Sequence, residues 1–161
     1  MKVFWSYAKR DDPKPHNLTA LKDQFQIVLG QCLGMDVDVF QDKSGLEWGA
    51  KWRQRLQEEV KSCDAMVCVL TPSYFASKMC IQEFMWARAK NKNIYPILYR
   101  ECPKGFVSNF SGESDKLNPK LNKESRYIAE YQYRDFTSLR NSDSSSTEVL
   151  EFLDDVCAQI S

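Results

Sequence analysis

The sequence predicts an α/β fold of the flavodoxin-like type, a three-layer sandwich around a central, mostly parallel sheet of five strands. Short apolar runs rich in β-branched and aromatic residues alternate with longer segments whose apolar residues recur at three- and four-residue steps. Short polar loops join the two kinds of segment, and this alternation is typical of βαβ units. Because the crossovers of such units are right-handed, they give parallel strands covered by helices on both faces.

The predicted strands are short, and the third is the most apolar. Residues 65–70 form an uninterrupted apolar run, as expected of a strand buried on both faces, and Pro72 ends it. Pro96 has no backbone N–H, so it places the fourth strand near a sheet edge or a bulge. In chain order the predicted strands span residues 3–7, 37–40, 65–70, 94–99 and 131–136.

The predicted helices carry apolar stripes and recognisable caps. Asn17 can cap the first helix, and Gly34 stands where a C-terminal glycine belongs. Ser77 and Thr147 are the expected caps of later helices. Trp52 begins the apolar stripe of the second helix, which favours a position in the core for its indole ring.

The length and composition fit one ordinary domain. The chain has 161 residues, of which 43% are hydrophobic and 27% charged. We therefore expect a single domain over residues 1–161, which in a longer protein would be its N-terminal part. Residues 101–125 are rich in proline, glycine and polar groups, so we expect a long irregular stretch there, with a short helix near residues 118–125.

Charge and cysteine usage exclude several classes of function. Lys+Arg and Asp+Glu balance at 22 each, which gives no support to nucleic-acid binding. No apolar run approaches the roughly 20 residues that cross a bilayer, and Lys9 and Arg10 come too early for a signal peptide. We expect a cytoplasmic protein without membrane contact. Six scattered cysteines without a CxxC pair, with His16 as the one histidine, predict buried thiols and neither a disulfide framework nor a metal site.

Polar residues stand where three of the predicted strands end. These are residues 6–7, 41–42 and 71–74. Ligands of parallel α/β sheets bind outside the carboxyl ends of the strands. The sequence therefore predicts that these three segments surround one crevice.

Three segments, in this order, resemble the TIR (Toll/interleukin-1 receptor homology) domain family. VFWSYA at residues 3–8 is similar to the opening strand, with its Ser-Tyr ending. VFQDKSGLEWG at residues 39–49 looks like the second strand and the loop called the BB loop. Residues 62–83 are similar to the third strand followed by a helix that begins S-x-x-C-x-x-E. The BB loop lacks the proline often found in animal receptor and adaptor members, which favours a bacterial or enzymatic type.

The resemblance implies a function and a set of site residues. In the enzymatic branch of the family, a helix glutamate that matches Glu83 is catalytic in cleaving NAD. The products are nicotinamide and ADP-ribose or a cyclic isomer, with NAD as a substrate rather than a cofactor. The resemblance also implies activation by self-assembly through the BB loop and a role in defence or signalling. The ligand-binding residues that it implies are Ser6, Tyr7, Asp42, Trp48, Ser77 and Cys80.

One carboxylate can suffice for this chemistry. Most glycosidases use two carboxyl groups, one of which protonates the leaving group. Nicotinamide leaves the cationic ring of NAD as a neutral molecule and needs no proton. A single carboxylate would stabilise the developing oxocarbenium charge, and the ring faces of Tyr7, Trp48 or Trp86 can receive the pyridinium ring. Arg10, Lys43 or helix N-termini are candidates for holding the phosphates.

Other interpretations of the same residues stay open at this point. Glu83 can be an ordinary exposed helix glutamate, and Asp42 can simply fix a turn. A thiol nucleophile, Cys80 paired with His16, has no support from spacing. The main alternative function is a non-catalytic module that packs against other TIR domains, for which Leu46 and Trp48 would supply apolar contacts.

Overall fold

Five parallel strands form one sheet in the order β2-β1-β3-β4-β5 in the computed structural model, which describes residues 1–43, 49–102 and 123–161. The predicted fold class is confirmed. The predicted strands also occur, although the fifth is only two residues long. The strands are β1 (Lys2–Ser6), β2 (Asp38–Phe40), β3 (Ala65–Leu70), β4 (Asn93–Leu98) and β5 (Arg134–Asp135).

Five α-helices connect or follow these strands in the described parts of the chain. They are α1 (Asn17–Leu33), α2 (Ala50–Ser62), α3 (Pro72–Ala76), α4 (Lys78–Ala89) and α5 (Thr147–Ile160). Short 3₁₀ helices span Lys9–Asp11, Lys123–Glu130 and Thr137–Leu139. The short helix predicted near 118–125 falls mostly outside the described residues.

The short helix α3 was not predicted. Pro72 ends β3, as expected, but it also begins α3, because its fixed φ suits the first position of a helix. The Thr71 hydroxyl caps this helix by accepting a hydrogen bond from the Tyr74 N–H at 3.0 Å. The chain therefore turns immediately at the end of β3 and delivers α4 close to the strand ends.

The side chains of each strand alternate between two apolar cores. Val3 and Trp5 of β1 face the core that α1 and α5 cover, whereas Phe4 faces the core that α2 and α4 cover. Strand β3 alternates in the same way, and all six of its residues are buried. This period of two, combined with helices on both faces, explains why a central strand has no polar residue.

Among the described residues, Pro96 lies where one side of β4 has no strand beside it. β4 is next to the edge strand β5, so the prediction that it runs near the sheet edge is confirmed. Pro96 pairs in register with Cys68 of β3, whereas the pairing with β5 begins only at Ile97. The proline is tolerated because the two-residue β5 does not extend to it.

Two of the predicted helix caps are wrong and two are confirmed. Asn17 is the first residue of α1, but the side chain that caps this helix is Asp12, whose carboxylate accepts from the Leu18 N–H at 2.9 Å. Ser146 rather than Thr147 caps α5. Gly34, with φ of 61°, ends α1 in the left-handed conformation that favours glycine, and the Ser77 hydroxyl caps α4.

The chain connectivity places a crevice between β1 and β3. From β1 the chain crosses to β2 on one side and then returns to β3 on the other side. The loops after β1 and β3 therefore diverge, and the point where they do so is the topological switch point where ligands of such sheets bind.

No helix in the described ranges is long and apolar enough to cross a membrane. All six cysteines are free thiols. Four of them are buried, as the sequence predicts, whereas Cys32 is exposed and Cys102 is partly exposed.

We predict that Asp12→Ala destabilises the protein by about 1–2 kcal/mol. The Asp12 carboxylate also accepts from the Thr19 N–H and from the Thr19 hydroxyl, at 3.3 and 2.6 Å, and alanine removes every one of these bonds. Urea unfolding measures the loss. Asn17→Ala, at the exposed first position of the same helix, is the control and should leave the free energy of unfolding unchanged; an equal loss in both variants contradicts the assignment of the cap.

Candidate functional site

A cleft opens at the carboxyl ends of β1 and β3, beside the first turns of α4. Its volume is about 720 Å³, which lies in the range of small-molecule sites. The loops after β1 and β2, the start of α2 and the α3–α4 corner supply its walls. The charged and aromatic side chains that line it include Tyr7, Lys9, Arg10, Asp42, Trp52, Arg53, Lys78 and Glu83.

Glu83 lies on the buried face of α4, in its second turn. The Ser77 hydroxyl fixes the start of this helix by accepting from the Cys80 N–H at 3.2 Å. Glu83 follows Cys80 by three residues, so both belong to the same helical face. It is only 7% exposed, yet it lines the cleft. The interpretation of Glu83 as an exposed helix glutamate is therefore wrong.

Ser6, the last residue of β1, holds the Glu83 carboxyl. Its hydroxyl donates to Glu83 Oε2 at 2.6 Å and lies 2.8 Å from the Tyr74 hydroxyl. The Tyr74 hydroxyl also donates to the Cys80 carbonyl, at 3.4 Å. Ser6 is fully buried and is not among the residues that line the cleft. It reaches a ligand in the cleft only through the carboxyl that it orients.

Burial raises the pKa of Glu83 from 4.5 to about 8. The main cause is desolvation of the charged form, and the negative charge of Asp42 raises the pKa further. The hydrogen bond from Ser6 and the positive charge of Lys9 act in the opposite direction. The protonated form of Glu83 therefore predominates at neutral pH, and a cation brought beside it would favour the carboxylate.

Asp42 is the centre of a polar cluster on the cleft wall formed by the loops after β1 and β2. Its Oδ2 accepts from Trp52 Nε1 at 3.1 Å and pairs with Lys9 Nζ at 3.1 Å. Its backbone carbonyl accepts from the Tyr7 hydroxyl at 3.0 Å. Lys9 Nζ also lies 5.6 Å from the centroid of the Trp52 ring, which is within reach of a cation–π interaction. A carboxylate and an aromatic ring together hold a cation here.

Ser77 and Cys80 line the cleft, and both serve the helix start. Cys80 is buried, and desolvation raises the pKa of its thiol well above 9.0. A cysteine nucleophile needs a lowered pKa, so this environment opposes the thiol-hydrolase interpretation. His16 Nδ1 lies 2.9 Å from the Asp12 carbonyl, at the start of α1.

The remaining sequence candidates lie in several places. Trp48 lies outside the described residues, in the gap between 43 and 49. Trp86 is not among the residues that line the cleft, and the Arg53 guanidinium covers its ring at 5.8 Å. Arg10 does line the cleft, whereas Lys43 does not. Across the part of the chain that the structure describes, no three ligating side chains are grouped to hold a metal ion.

Two residues of the site were missed. Trp52, placed in the core by its helical stripe, packs against the core but is only half-buried and lines the cleft. Its position in the first turn of α2, directly after a loop, is the signal for this placement. Lys9 follows the Ser-Tyr strand end by two residues, and this closeness to the end of β1 is the signal for its placement.

The comparisons with known proteins bear on the family. A family model described as TIR domain matches residues 3–148. A comparison with curated protein sequences finds no match. Among solved structures, the chain is similar to the CMP N-glycosidase BcmB of Clostridium botulinum, at 17% identity and a TM-score of 0.49, over 96% of this chain and 98% of that one. At this level the structural similarity supports no statement about activity.

We predict that Glu83→Gln stabilises the protein at high pH. The native pKa of about 8 lies above the unfolded value of 4.5. Below pH 4.5 the carboxyl is protonated in both states, so its ionisation has no effect on stability. The free energy of unfolding then falls as the pH rises from 4.5 through about 8. Removing the buried charge should raise the free energy of unfolding by about 2–4 kcal/mol at pH 9 and change it little at pH 4. Urea unfolding at both pH values measures this. The exposed Glu151→Gln is the control; a pH-independent effect of Glu83→Gln contradicts the prediction.

Proposed function

The chain belongs to the TIR domain family, and on this premise we propose that it cleaves the nicotinamide–ribose bond of NAD. The products would be nicotinamide and either ADP-ribose or a cyclic isomer. The observation that carries the proposal is the placement of the Glu83 carboxyl. It is largely buried, it lines a cleft of about 720 Å³, and a hydrogen bond from Ser6 orients it.

The proposed reaction needs one carboxylate. The bond between C1′ of ribose and the pyridinium nitrogen breaks, and its electron pair neutralises the ring, so nicotinamide leaves without a proton. Positive charge develops on the ribose, and the Glu83 carboxylate stabilises it within a site of low dielectric constant. Water then adds its oxygen to C1′ and loses a proton. A nucleophile from the same ADP-ribose that arrives before water gives a cyclic product instead.

The raised pKa of Glu83 fits a cationic substrate. In the free protein at neutral pH, most molecules carry the protonated carboxyl. A pyridinium cation within about 4–6 Å lowers a carboxyl pKa by about 1–3 units. Binding of oxidised NAD would therefore produce the reactive carboxylate at the moment when it is needed.

The same protonated state favours a second candidate function. A carboxylic acid with a pKa of about 8 is a suitable general acid at neutral pH. It could protonate the base of a nucleotide in which that base is uncharged. Such a base needs a proton in order to leave as a neutral molecule. This N-glycosidase reaction uses Glu83 as the acid, whereas NAD cleavage uses it as the carboxylate.

Self-association is part of the proposal. TIR domains pack against one another, and we propose that this chain assembles through residues 39–49, so that activity rises with protein concentration. Consumption of NAD by such an assembly would suit a role in defence signalling. Membership of the TIR domain family supports this assembly.

The decisive experiment incubates NAD with the protein over a series of concentrations and measures release of nicotinamide. We expect Glu83→Gln and Glu83→Ala to lower kcat by at least about 100-fold. Glu151→Gln, an exposed glutamate on α5, should keep the full rate. Full activity in Glu83→Ala would sink the assignment. No cleavage at any concentration, together with self-association in sedimentation, would favour the non-catalytic module.

The pH profile then separates the two reactions. If Glu83 acts as the carboxylate, kcat/KM for NAD rises with pH and levels off above about pH 8, because the free enzyme must lose its proton. If Glu83 acts as a general acid, kcat/KM for a pyrimidine nucleotide falls above about pH 8. Activity on the nucleotide with the falling profile, and none on NAD, would replace the first proposal by the second.

A further inference from the structure

The cluster of Lys9, Asp42 and Trp52 has the chemistry of a site for organic cations. An aromatic ring face and a carboxylate within reach of one another are the usual means by which proteins bind such groups. Here the two groups are fixed to each other by the hydrogen bond from Trp52 Nε1 to Asp42 Oδ2 at 3.1 Å. Tyr7 fixes the Asp42 backbone through a further bond at 3.0 Å.

The cation that the structure places in this cluster belongs to the chain itself. Lys9 Nζ lies 3.1 Å from Asp42 Oδ2 and 5.6 Å from the Trp52 ring centroid. The Lys9 side chain is 29% exposed, and its four-carbon stem is flexible. Its ammonium group can therefore move to water without crossing the core.

We propose that Trp52 and Asp42 bind the pyridinium ring of the substrate, and that Lys9 occupies this position until the substrate displaces it. This inference rests on the proposed function, since it assigns the binding site of the leaving group. It makes Trp52 and Asp42 specificity-determining residues, and it makes Lys9 an internal competitor.

The charges of the cleft support an exchange of one cation for another. Asp42 and Lys9 are both close enough to Glu83 to influence its protonation, in opposite directions. A pyridinium ring in place of the ammonium keeps a cation beside Asp42. It lowers the pKa of Glu83 further if its charge, on the atom bonded to the reacting C1′, lies closer to Glu83 than the Lys9 ammonium does. A neutral ring in the same position would not replace the Lys9 charge beside Asp42.

The other basic residues that line the cleft are placed differently. Arg53 donates to Gln82 Oε1 at 3.2 Å and covers the Trp86 ring. Arg10 and Lys78 are exposed. In the described part of the cleft, Lys9 contacts both the Asp42 carboxylate and the Trp52 ring. Removing its charge therefore tests the proposed site.

The exchange also predicts selectivity for the oxidised dinucleotide. The dihydronicotinamide ring of reduced NAD is neutral, and it cannot replace the ammonium group electrostatically. The same distinction applies to two small probes of nearly equal shape. The N-methylnicotinamide cation carries the charge, whereas nicotinamide does not.

The experiment titrates both probes into the full chain and its variants by calorimetry or NMR. Lys9→Met keeps the aliphatic stem and removes the charge, so the cation should bind at least about threefold more tightly while nicotinamide changes little. Trp52→Leu should weaken binding of the cation by about 2- to 30-fold, which is the range of a cation–π contribution. Asp42→Asn should weaken it too, and Trp52→Phe should lose less than Trp52→Leu.

Arg88→Met is the matched control. It removes the cation from another cation–π pair, in which the Arg88 guanidinium lies 4.3 Å from the Tyr127 ring, and it should leave binding of both probes unchanged. Near-equal thermal unfolding of the variants shows that each is folded. Weaker or unchanged binding of the cation in Lys9→Met overturns the inference, as does equal affinity for both probes in the wild type and in Lys9→Met.

Failure of this inference differs from failure of the proposed function. Binding does not require turnover, so the probe titrations stand apart from release of nicotinamide. If NAD is cleaved but Lys9→Met does not tighten binding of the cation, the assignment of the ring site fails alone. If the cation site behaves as expected but Glu83→Ala has no effect on cleavage, the role of Glu83 fails alone.

Discussion

The hydrogen bond from Ser6 to Glu83 joins strand β1 to helix α4, which carries the carboxyl of the site. It forms only if β1 ends at the cleft and α4 starts there, and two caps fix that start. Thr71 turns the chain into α3, and Ser77 turns it again into α4. Pairing of β1 with β3 sets the depth of Ser6. The position of one carboxyl therefore depends on the register of the sheet and on two hydroxyl caps.

Burial of this carboxyl opposes folding wherever it is ionised. One donated hydrogen bond does not replace the hydration that Glu83 loses on burial, and its pKa is therefore raised to about 8. Proteins accept such costs at functional sites, because a desolvated group acts more strongly on charge that develops beside it. Glu83 stands in the apolar stripe of α4, between Cys80 and Phe84, where a glutamate contributes nothing to packing.

The apolar pattern predicted the sheet, because a strand buried on both faces needs an unbroken apolar run, as in β3. Helix caps were harder to predict, since a cap is set by loop geometry. Asp12 reaches the start of α1 across a turn of the chain, so its spacing from the helix is not the usual one. For Trp52 the sequence predicted the contact with the core but not the position in the cleft. A helical stripe predicts which face is buried, but not where that face ends and a cleft begins.

The charge balance of the cleft connects its two acidic residues. The negative charge of Asp42 raises the pKa of Glu83, and the ammonium group of Lys9, which pairs with Asp42, lowers it. Asp42 forms an ion pair with the Lys9 ammonium group. Glu83 interacts with the same charge electrostatically, and at neutral pH it stays largely protonated. A cation that binds closer to Glu83 than Lys9 lies therefore favours the Glu83 carboxylate, because a nearby positive charge lowers the pKa of a carboxyl group. The protein thus couples the charge of a bound ligand to the protonation of a single buried carboxyl.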